Sequence, residues 1–228
     1  MSRIIVFDVN ETLLDLAGLD PVFEQLFGTA DARREWFGQV LQSAMTTTIL
    51  GQYQDFTTIA GHALTQIAAR RAVRLTQKDR EAVGAGMRSL PPHADVAPAL
   101  ARLRDAGLRL VALTNSPSAT ARAQLDHAGL SDYFEDILSV DMAQTLKPAP
   151  EVYNTAARSM LAAARDMRLV AAHAWDVAGA MNAGWEGAFV ARPGQVLDPL
   201  FPEPTIVGDD MEQVATAILE QDVYDDDV

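Results

Sequence analysis

The sequence contains no cysteine, no long apolar run and few positive charges. Without cysteine, disulfide bonds, thiolate metal sites and a cysteine nucleophile are excluded. No apolar stretch approaches the roughly 18 residues of a membrane-spanning helix, so we expect no membrane partner. The chain has 18 lysine and arginine residues against 31 aspartate and glutamate residues, a net charge of −13. This negative field argues against nucleic acid as a partner, although a local positive pocket could still bind a small anion.

What the chain does contain is typical of a soluble globular protein. Its 228 residues are 49% hydrophobic and 21% charged, which suits one core domain with an insertion or two small domains. The first residues lead directly into an apolar segment and show no signal-peptide pattern. We therefore expect a cytoplasmic protein.

The segment RIIVFDVNETLLDL, which begins at Arg3, organises the rest of the chain. Residues 4–7 are apolar and partly β-branched, and the run is too short for a helix, so it predicts a buried strand. Asp8 follows the run directly. Open parallel sheets place their chemistry at the carboxyl ends of strands, so Asp8 is a candidate nucleophile. The alternative is that Asp8 only caps a turn.

The remainder of the chain separates into a helical part and an alternating part. Residues 20–89 show helical patterns at 21–27, 31–50 and 55–71 and after the capping residue Thr76, with no convincing strand. The prolines at 91 and 92 mark a boundary, after which helices and strands alternate, as in a parallel sheet. We predict a core domain of residues 1–15 and 91–228, with a helical cap domain of residues 16–90 inserted after the first strand. The acidic end, 222–228, is expected to fray.

Polar side chains follow three of the predicted strands, and a lysine lies in a nearby loop. Because the carboxyl ends of parallel strands share one edge of the sheet, we expect these side chains to meet there. A lysine would keep an aspartate nucleophile ionised, and turn amides at a helix start could bind an anion. Taken singly, each residue also has an ordinary reading as a cap or a solvated loop residue. The residues are Asp8, Thr12, Thr114, Asn115, Ser116, Lys147, His173 and Asp176.

Four motifs occur in a recognisable order, namely DVNETLLD, LTNS, LKPAPEVY and AHAWDVAGAMNAG. Together they resemble the haloacid dehalogenase superfamily, and within it the type II L-2-haloacid dehalogenases, over residues 3–192. The resemblance implies an α/β fold with a Rossmann-like parallel sheet core and a helical cap. It also implies an aspartate nucleophile that forms an ester intermediate, with no metal and no cofactor.

The resemblance assigns roles to individual residues. Asp8 is similar to the nucleophile, Thr12 to the threonine that hydrogen-bonds it, Lys147 to the lysine of the third motif and Asp176 to the aspartate that pairs with that lysine. These four are the candidate catalytic residues. The candidate substrate-binding residues are Asn10, Thr114, Asn115, Ser116, Tyr153, His173 and Trp175.

Two departures separate the chain from the phosphatases of this superfamily. Those enzymes resemble DxDGT, whose second aspartate protonates the leaving alcohol, and here that position is Asn10. They also hold Mg²⁺ with a Gly-Asp pair where this chain has Ala171 and Ala172. Since Mg²⁺ requires oxygen ligands, both changes argue against metal-dependent phosphoryl transfer.

Other departures separate the chain from typical dehalogenases. The family has tyrosine at the position of Asn10 and Ser-Ser-Asn at 171–173. It also has a substrate-binding arginine in the cap, and an alignment on residues 53–56 places Thr47 or a neighbour there. No arginine lies between Arg34 and Arg70, so neutral donors would have to stabilise a departing halide.

Our primary hypothesis is a metal-independent hydrolase that displaces halide from a small 2-haloalkanoic acid, its carboxylate partner, to give the 2-hydroxy acid. A non-catalytic or altered-specificity relative that binds a small carboxylate is the main alternative. A Mg²⁺-dependent phosphatase of small molecules is a third. Trp36 and Phe37 in the cap would offer a surface for a homodimer if they were exposed.

Overall fold

The structure, a computed structural model, describes residues 3–224. Within that range there is one sheet of six parallel strands in the order β3-β2-β1-β4-β5-β6. This is the strand order of the Rossmann fold, so the predicted α/β class and parallel core are confirmed. The strands are β1 (Ile4–Phe7), β2 (Arg109–Thr114), β3 (Asp136–Ser139), β4 (Met167–Ala171), β5 (Glu186–Val190) and β6 (Ile206–Gly208).

Nine α-helices occur in the described range. Five of them lie between β1 and β2, and four of these five fall within residues 16–90, as the sequence predicted for a helical insertion. The helices are α1 (Asp20–Phe27), α2 (Ala32–Ile49), α3 (Phe56–Arg70), α4 (Gln77–Arg88), α5 (Val96–Asp105), α6 (Ser118–His127), α7 (Pro150–Ser159), α8 (Ala174–Asn182) and α9 (Met211–Leu219).

Strand β1 lies in the middle of the sheet, and each of its four residues is buried. Burial on both faces explains why its sequence is continuously apolar rather than alternating. It pairs with β2 on one side and β4 on the other, and the Asp8 amide continues the pairing by donating to Val170 O at 3.0 Å. Asp8 therefore lies at the carboxyl end of β1, beside β4. The strand order reverses between these two strands, and α/β sheets bind their ligands at such a point.

The insertion is built from helices with recognisable starts. Thr76 and Asp79 form a capping box at α4, as predicted, and Asp55 caps α3 by accepting from the Thr58 amide. Trp36 of α2 donates its indole N–H to Ala60 O of α3 at 2.9 Å, which joins the two longest helices of the insertion.

The chain enters and leaves the insertion at adjacent points. The Asp15 amide donates to Pro91 O at 2.8 Å, and the His93 amide donates to Leu13 O at 3.0 Å. The division into a core and a cap at these points stays a prediction. No helix in residues 3–224 is both long and apolar enough to cross a membrane, and the cytoplasmic location also stays a prediction.

The structure corrects three expectations. Trp36 and Phe37 are 1% and 6% exposed, so they offer no surface to a second copy, and the homodimer stays a prediction without them. The sequence predicts a helix over 151–164, opened by Pro148 and Pro150, but α7 ends at Ser159 because Leu161 adopts a left-handed conformation with φ of 54°. Asp222, expected to fray, is buried in an ion pair with Arg168, whereas 225–228 lie outside the described residues.

Candidate active site

Asp8 lies in a buried site at the carboxyl edge of the sheet, with 8% of its side chain exposed. Its Oδ1 accepts a hydrogen bond from Lys147 Nζ at 2.8 Å, and its Oδ2 accepts one from Thr12 Oγ1 at 2.8 Å. Thr12 Oγ1 in turn accepts from the Ala172 amide at 2.9 Å, which ties the loop after β1 to the end of β4. The carboxylate is therefore fixed in orientation from both sides.

Lys147 is a buried cation between two carboxylates. Its three ammonium protons have three acceptors: Asp8 Oδ1, Leu113 O at 3.1 Å and Asp176 Oδ2 at 2.5 Å. Asp176 lies in the first turn of α8, whose N-cap is His173, so the reading of Asp176 as a mere cap is wrong. Tyr153 donates to the second oxygen of Asp176 at 2.6 Å, so both oxygens of that carboxylate are engaged.

Neighbouring charges and burial together shift the pKa values of the residues in this cluster. Burial alone would raise the pKa of Asp8, but the charge of Lys147 and the contact with His173 hold it well below its ordinary value. Burial opposes the charge on Lys147, yet Asp176 and Asp8 raise its pKa above the ordinary value. Burial and the charge of Asp176 raise the pKa of Tyr153, which stays a neutral donor. Asp8 is thus an ionised, positioned carboxylate at neutral pH.

The residues of the LTNS motif shape the turn beside Asp8. Thr114 Oγ1 accepts from the Ser116 amide at 3.1 Å, and Asn115 Oδ1 accepts from the Lys147 amide at 2.9 Å. Ser116 Oγ accepts from Asn10 Nδ2 at 3.2 Å, while Asn10 Oδ1 accepts from Gln124 Nε2 at 3.1 Å. The amide of Asn10 is therefore engaged on both sides in neutral hydrogen bonds.

His173 connects Asp8 to a second acid. Its Nδ1 lies 3.2 Å from Asp8 Oδ2, and its Nε2 lies 2.8 Å from Glu11 Oε2. Ionised carboxylates only accept hydrogen bonds, so both ring nitrogens must donate, and only the imidazolium can do so. Burial would lower the pKa of His173, but hydrogen bonds to Asp8 and Glu11, with their charges, raise it to about 9.

Two aromatic rings hold this imidazolium in place. The indole of Trp175 stacks on it with centroids 5.2 Å apart, and the phenyl ring of Phe37, from α2, lies 6.1 Å away. Faces of aromatic rings attract a cation at such distances. The indole N–H of Trp175 is buried and has no hydrogen-bond partner within the described part of the chain, so it is a donor available to a bound ligand.

The ionisation of His173 should make stability depend on pH. Its folded pKa is raised, so its contribution is fully present below about pH 6.5 and is lost as the pH rises through about 9. In urea unfolding, we expect the advantage of the wild type over His173→Gln to shrink by about 3 kcal/mol between roughly pH 6 and 10. His127→Gln, at an exposed position of α6, should show no such trend. A constant difference across this range would refute the charged histidine.

The structure brings together all the catalytic residues predicted from sequence, and their roles stay predictions. It also adds residues that sequence reasoning missed: Glu11 and Phe37 against His173, and Gln124 against Asn10. Glu11 lies inside the first motif, and its proximity to Asp8 in the sequence was the signal that could have identified it as a site residue. Thr47, aligned with the missing cap arginine, donates its hydroxyl to Ala44 O of its own helix.

The donor set does not fit the Mg²⁺ of the related phosphatases. Two positively charged side chains, Lys147 and His173, already contact the Asp8 carboxylate and would repel a divalent cation there. Ala171 and Ala172 carry no side-chain oxygen for a hard cation. Within residues 3–224 no group of three or more acidic, histidine or cysteine side chains is arranged to hold a metal.

Comparisons with known proteins identify the family to which the chain is similar. A family model described as haloacid dehalogenase-like hydrolase matches residues 3–184. The chain is 27% identical to an (S)-2-haloacid dehalogenase of Pseudomonas putida, over 89% of this chain and 90% of the relative. It is 28% identical to haloacetate dehalogenase H-2 of Moraxella sp. (strain B), over 88% and 90%.

A solved structure shows the same fold. The L-2-haloacid dehalogenase of Xanthobacter autotrophicus, with chloropropionic acid covalently bound, superposes with a TM-score of 0.90 at 22% identity, covering 97% of this chain and 99% of that one. The family model and the two dehalogenase relatives confirm the resemblance inferred from the four motifs. Because the family model spans most of its residues, the chain belongs to the haloacid dehalogenase-like hydrolases.

Proposed function

We propose that the protein is a metal-independent hydrolase that removes halide from a small 2-haloalkanoic acid through an ester on Asp8. The observation that carries the proposal is the Asp8 carboxylate, which is buried at the edge of the sheet and accepts hydrogen bonds from Lys147 and Thr12. The (S)-2-haloacid dehalogenases that the chain resembles along most of its length supply the reaction class.

The contacts of Asp8 leave room for nucleophilic attack. Oδ2 accepts from Thr12 and His173, whereas Oδ1 accepts only from Lys147 among the described residues. A carboxylate offers about four lone-pair sites, so Oδ1 keeps one for attack at C2. The carbon–halogen bond breaks as the oxygen–carbon bond forms, the electron pair leaves with the halide, and the configuration at C2 inverts.

Donors near Asp8 suit a departing halide and a bound carboxylate. Two cations, Lys147 and His173, flank the nucleophile, and the indole N–H of Trp175 has no protein partner. Donors that are already oriented stabilise developing negative charge without reorganisation. His173 thus supplies a positive charge near the site although residues 35–69 contain no arginine.

Asn10 and His173 argue against the phosphatase alternative. Asn10 carries no ionisable proton for a leaving alcohol, and its amide is engaged by Ser116 and Gln124. His173 adds a second positive charge beside Asp8, which disfavours the Mg²⁺ that such a phosphatase requires.

Incubation with L-2-chloropropionate tests the function directly. We expect release of one chloride and formation of one D-lactate for each substrate consumed, at the same rate with EDTA as with added Mg²⁺. Ion chromatography measures the chloride, and a chiral separation identifies the product. Release of phosphate from small phosphoesters only with Mg²⁺ would instead establish the phosphatase, and binding without turnover would support the non-catalytic alternative.

A further inference from the structure

We propose that a second binding site lies between α3 and α4 and takes a small carboxylic acid with an aromatic or branched apolar group. The site is a cavity of about 170 Å³, walled by residues of α2, α3, α4, the turn after β2 and the start of α6. The inference does not depend on the proposed function, because it concerns a ligand that the protein binds and need not convert.

The interior of this cavity is apolar. Its walls include the buried side chains of Trp36, Phe56, Leu64 and Val83. The indole N–H of Trp36 already donates to Ala60 O at 2.9 Å, so this ring brings no free polar group to the cavity. Apolar cavities of roughly 150 Å³ stay dry and bind a molecule of the size of benzene. The cavity therefore suits a ligand whose apolar part is about as large as one ring.

Two arginines of α4 add positive charge to the same cavity. Arg80 and Arg88 both line it. Arg80 donates one hydrogen bond, to the neutral hydroxyl of Thr65 at 2.9 Å, and Arg88 donates none to any of residues 3–224. Neither guanidinium group forms an ion pair within that range. Both can therefore still donate to an anionic group on a ligand.

Arginines without an acidic partner are uncommon in this chain. The sequence contains 31 acidic residues against 18 lysines and arginines, and most of those basic side chains pair with a carboxylate, as Arg109 does with Glu135. Two unpaired guanidinium groups beside one apolar cavity thus give a local positive charge in a negative protein. A guanidinium group binds a carboxylate through parallel hydrogen bonds, so a carboxylate is the ligand group that fits.

Glycines keep the cavity open. Gly61 of α3 and Gly84 of α4 line it. A Cβ atom at Gly61 would meet no atom within 4 Å, and one at Gly84 would lie 3.6 Å from Arg88 Nη1, which is an ordinary contact. Packing requires glycine at neither position, in contrast to Gly86, where a Cβ would lie 2.5 Å from Leu19 Cδ2. Since glycine inside a helix is destabilising relative to alanine, these two positions preserve space at a cost in stability.

The cavity is separate from the site around the nucleophile. Asp8, Lys147 and His173 do not line it. Ser116 is the residue that connects the two sites, because it lines the cavity and its Oγ accepts from Asn10 Nδ2 at 3.2 Å. A ligand in the cavity would contact both the helical insertion and the turn after β2, without contacting the carboxylate of Asp8.

The size of the cavity favours a small molecule over a protein partner. A partner helix lays several anchor side chains along a groove, whereas this cavity accommodates about one ring. The large apolar side chains that are strongly exposed within residues 3–224, such as Ile49 and Leu161, do not line it. No exposed apolar patch in that range therefore extends the cavity into a larger interface.

Titration with phenylacetate tests the proposal. By isothermal titration calorimetry we expect saturable binding with a Kd below about 1 mM. The Tm should rise by about 3–6 °C at ten times the Kd. Phenylacetamide, which lacks the charge, and acetate, which lacks the ring, should each bind at least about 10-fold more weakly. Absence of saturation by phenylacetate up to about 10 mM would overturn the site.

Removing both positive charges tests the carboxylate contact. The double variant Arg80→Gln, Arg88→Gln should bind phenylacetate at least about 10-fold more weakly and phenylacetamide as the wild type does. Arg158→Gln is the matched control, because this exposed arginine of α7 also lacks an ion pair within residues 3–224 and donates to the Thr155 hydroxyl. Equal affinity of the double variant and the control for phenylacetate would contradict the proposal.

Filling the cavity tests its location. Gly84→Leu should abolish phenylacetate binding without lowering the Tm of the free protein, because leucine favours a helix and fills apolar space. Gly38→Leu is the control, since Gly38 is an exposed glycine of α2 that does not line the cavity and a Cβ there would meet no atom within 4 Å. Undiminished binding by Gly84→Leu would place phenylacetate elsewhere and refute this site.

Two further measurements distinguish other occupants. Saturating D-lactate should leave phenylacetate binding unchanged, and displacement would mean that the probe binds beside Asp8 instead. Sedimentation velocity should show the same oligomeric state for the wild type and Gly84→Leu. A wild-type dimer that this substitution dissociates would mean that a second copy covers the cavity, which would overturn the small-molecule site. The dehalogenase proposal stands or falls separately, on halide release.

Discussion

Asp8→Asn should abolish halide release, with the rate falling by about 10⁴-fold or more. The amide oxygen is a far weaker nucleophile than the ionised carboxylate that Lys147 and Thr12 hold in place. The amide oxygen can still accept from Lys147 Nζ, and the amide N–H can donate to Thr12 Oγ1, so the fold should persist. Halide release from L-2-chloropropionate and the absence of any covalent adduct are the measurements.

The control for this variant is Asp105→Asn, an exposed aspartate at the end of α5. It should match the wild type in rate and in unfolding. Slow conversion of the new asparagine back to aspartate would mimic residual activity, so the mass of the purified variant has to be checked before and after the assay. Turnover by an Asp8→Asn sample of unchanged mass would end the nucleophile assignment.

The sheet and the positions of Asp8, Lys147 and Asp176 could be predicted because local signals specify them. Buried parallel strands have continuous apolar sequences, and each of these side chains follows a strand or lies in a loop near its carboxyl end. Once the strands are parallel, their ends must share one edge. The convergence of the charged residues therefore follows from topology without knowledge of side-chain positions.

Glu11 and Phe37 could not be predicted in the same way. The contact of Glu11 with His173 depends on a left-handed residue in a loop, and no apolar periodicity encodes that conformation. Phe37 of α2 packs against His173, which follows β4. This contact depends on how the insertion packs on the sheet. From the sequence alone, Phe37 could have been exposed, because an apolar residue on a helix does not specify which neighbouring element covers it.

In the cluster around Lys147, we expect the same positive charge to stabilise the fold and to serve catalysis. Its side chain is 1% exposed, and its ammonium group contacts two carboxylates, of which one, Asp176, is fully buried. Removing one partner of a buried pair leaves a charge without compensation, which costs more than the pair contributes. We therefore expect Asp176 to act as the second anion that keeps Lys147 charged and directed at Asp8.

Lys147→Met should lower the free energy of unfolding by about 3–5 kcal/mol at neutral pH and reduce halide release severely, because Asp176 and Asp8 lose their shared cation. An unpaired buried carboxylate binds a proton more tightly when folded than when unfolded, so the deficit should grow as the pH rises through the ordinary range of aspartate. Adding Asp176→Asn should recover part of the stability but none of the activity, since the excess charge is removed while Asp8 still lacks Lys147. Urea unfolding and halide release measure the two effects, with Lys78→Met on exposed α4 as control. If the single variant were as stable as the wild type, the buried carboxylates would not depend on this lysine, and its assigned role beside the nucleophile would be wrong.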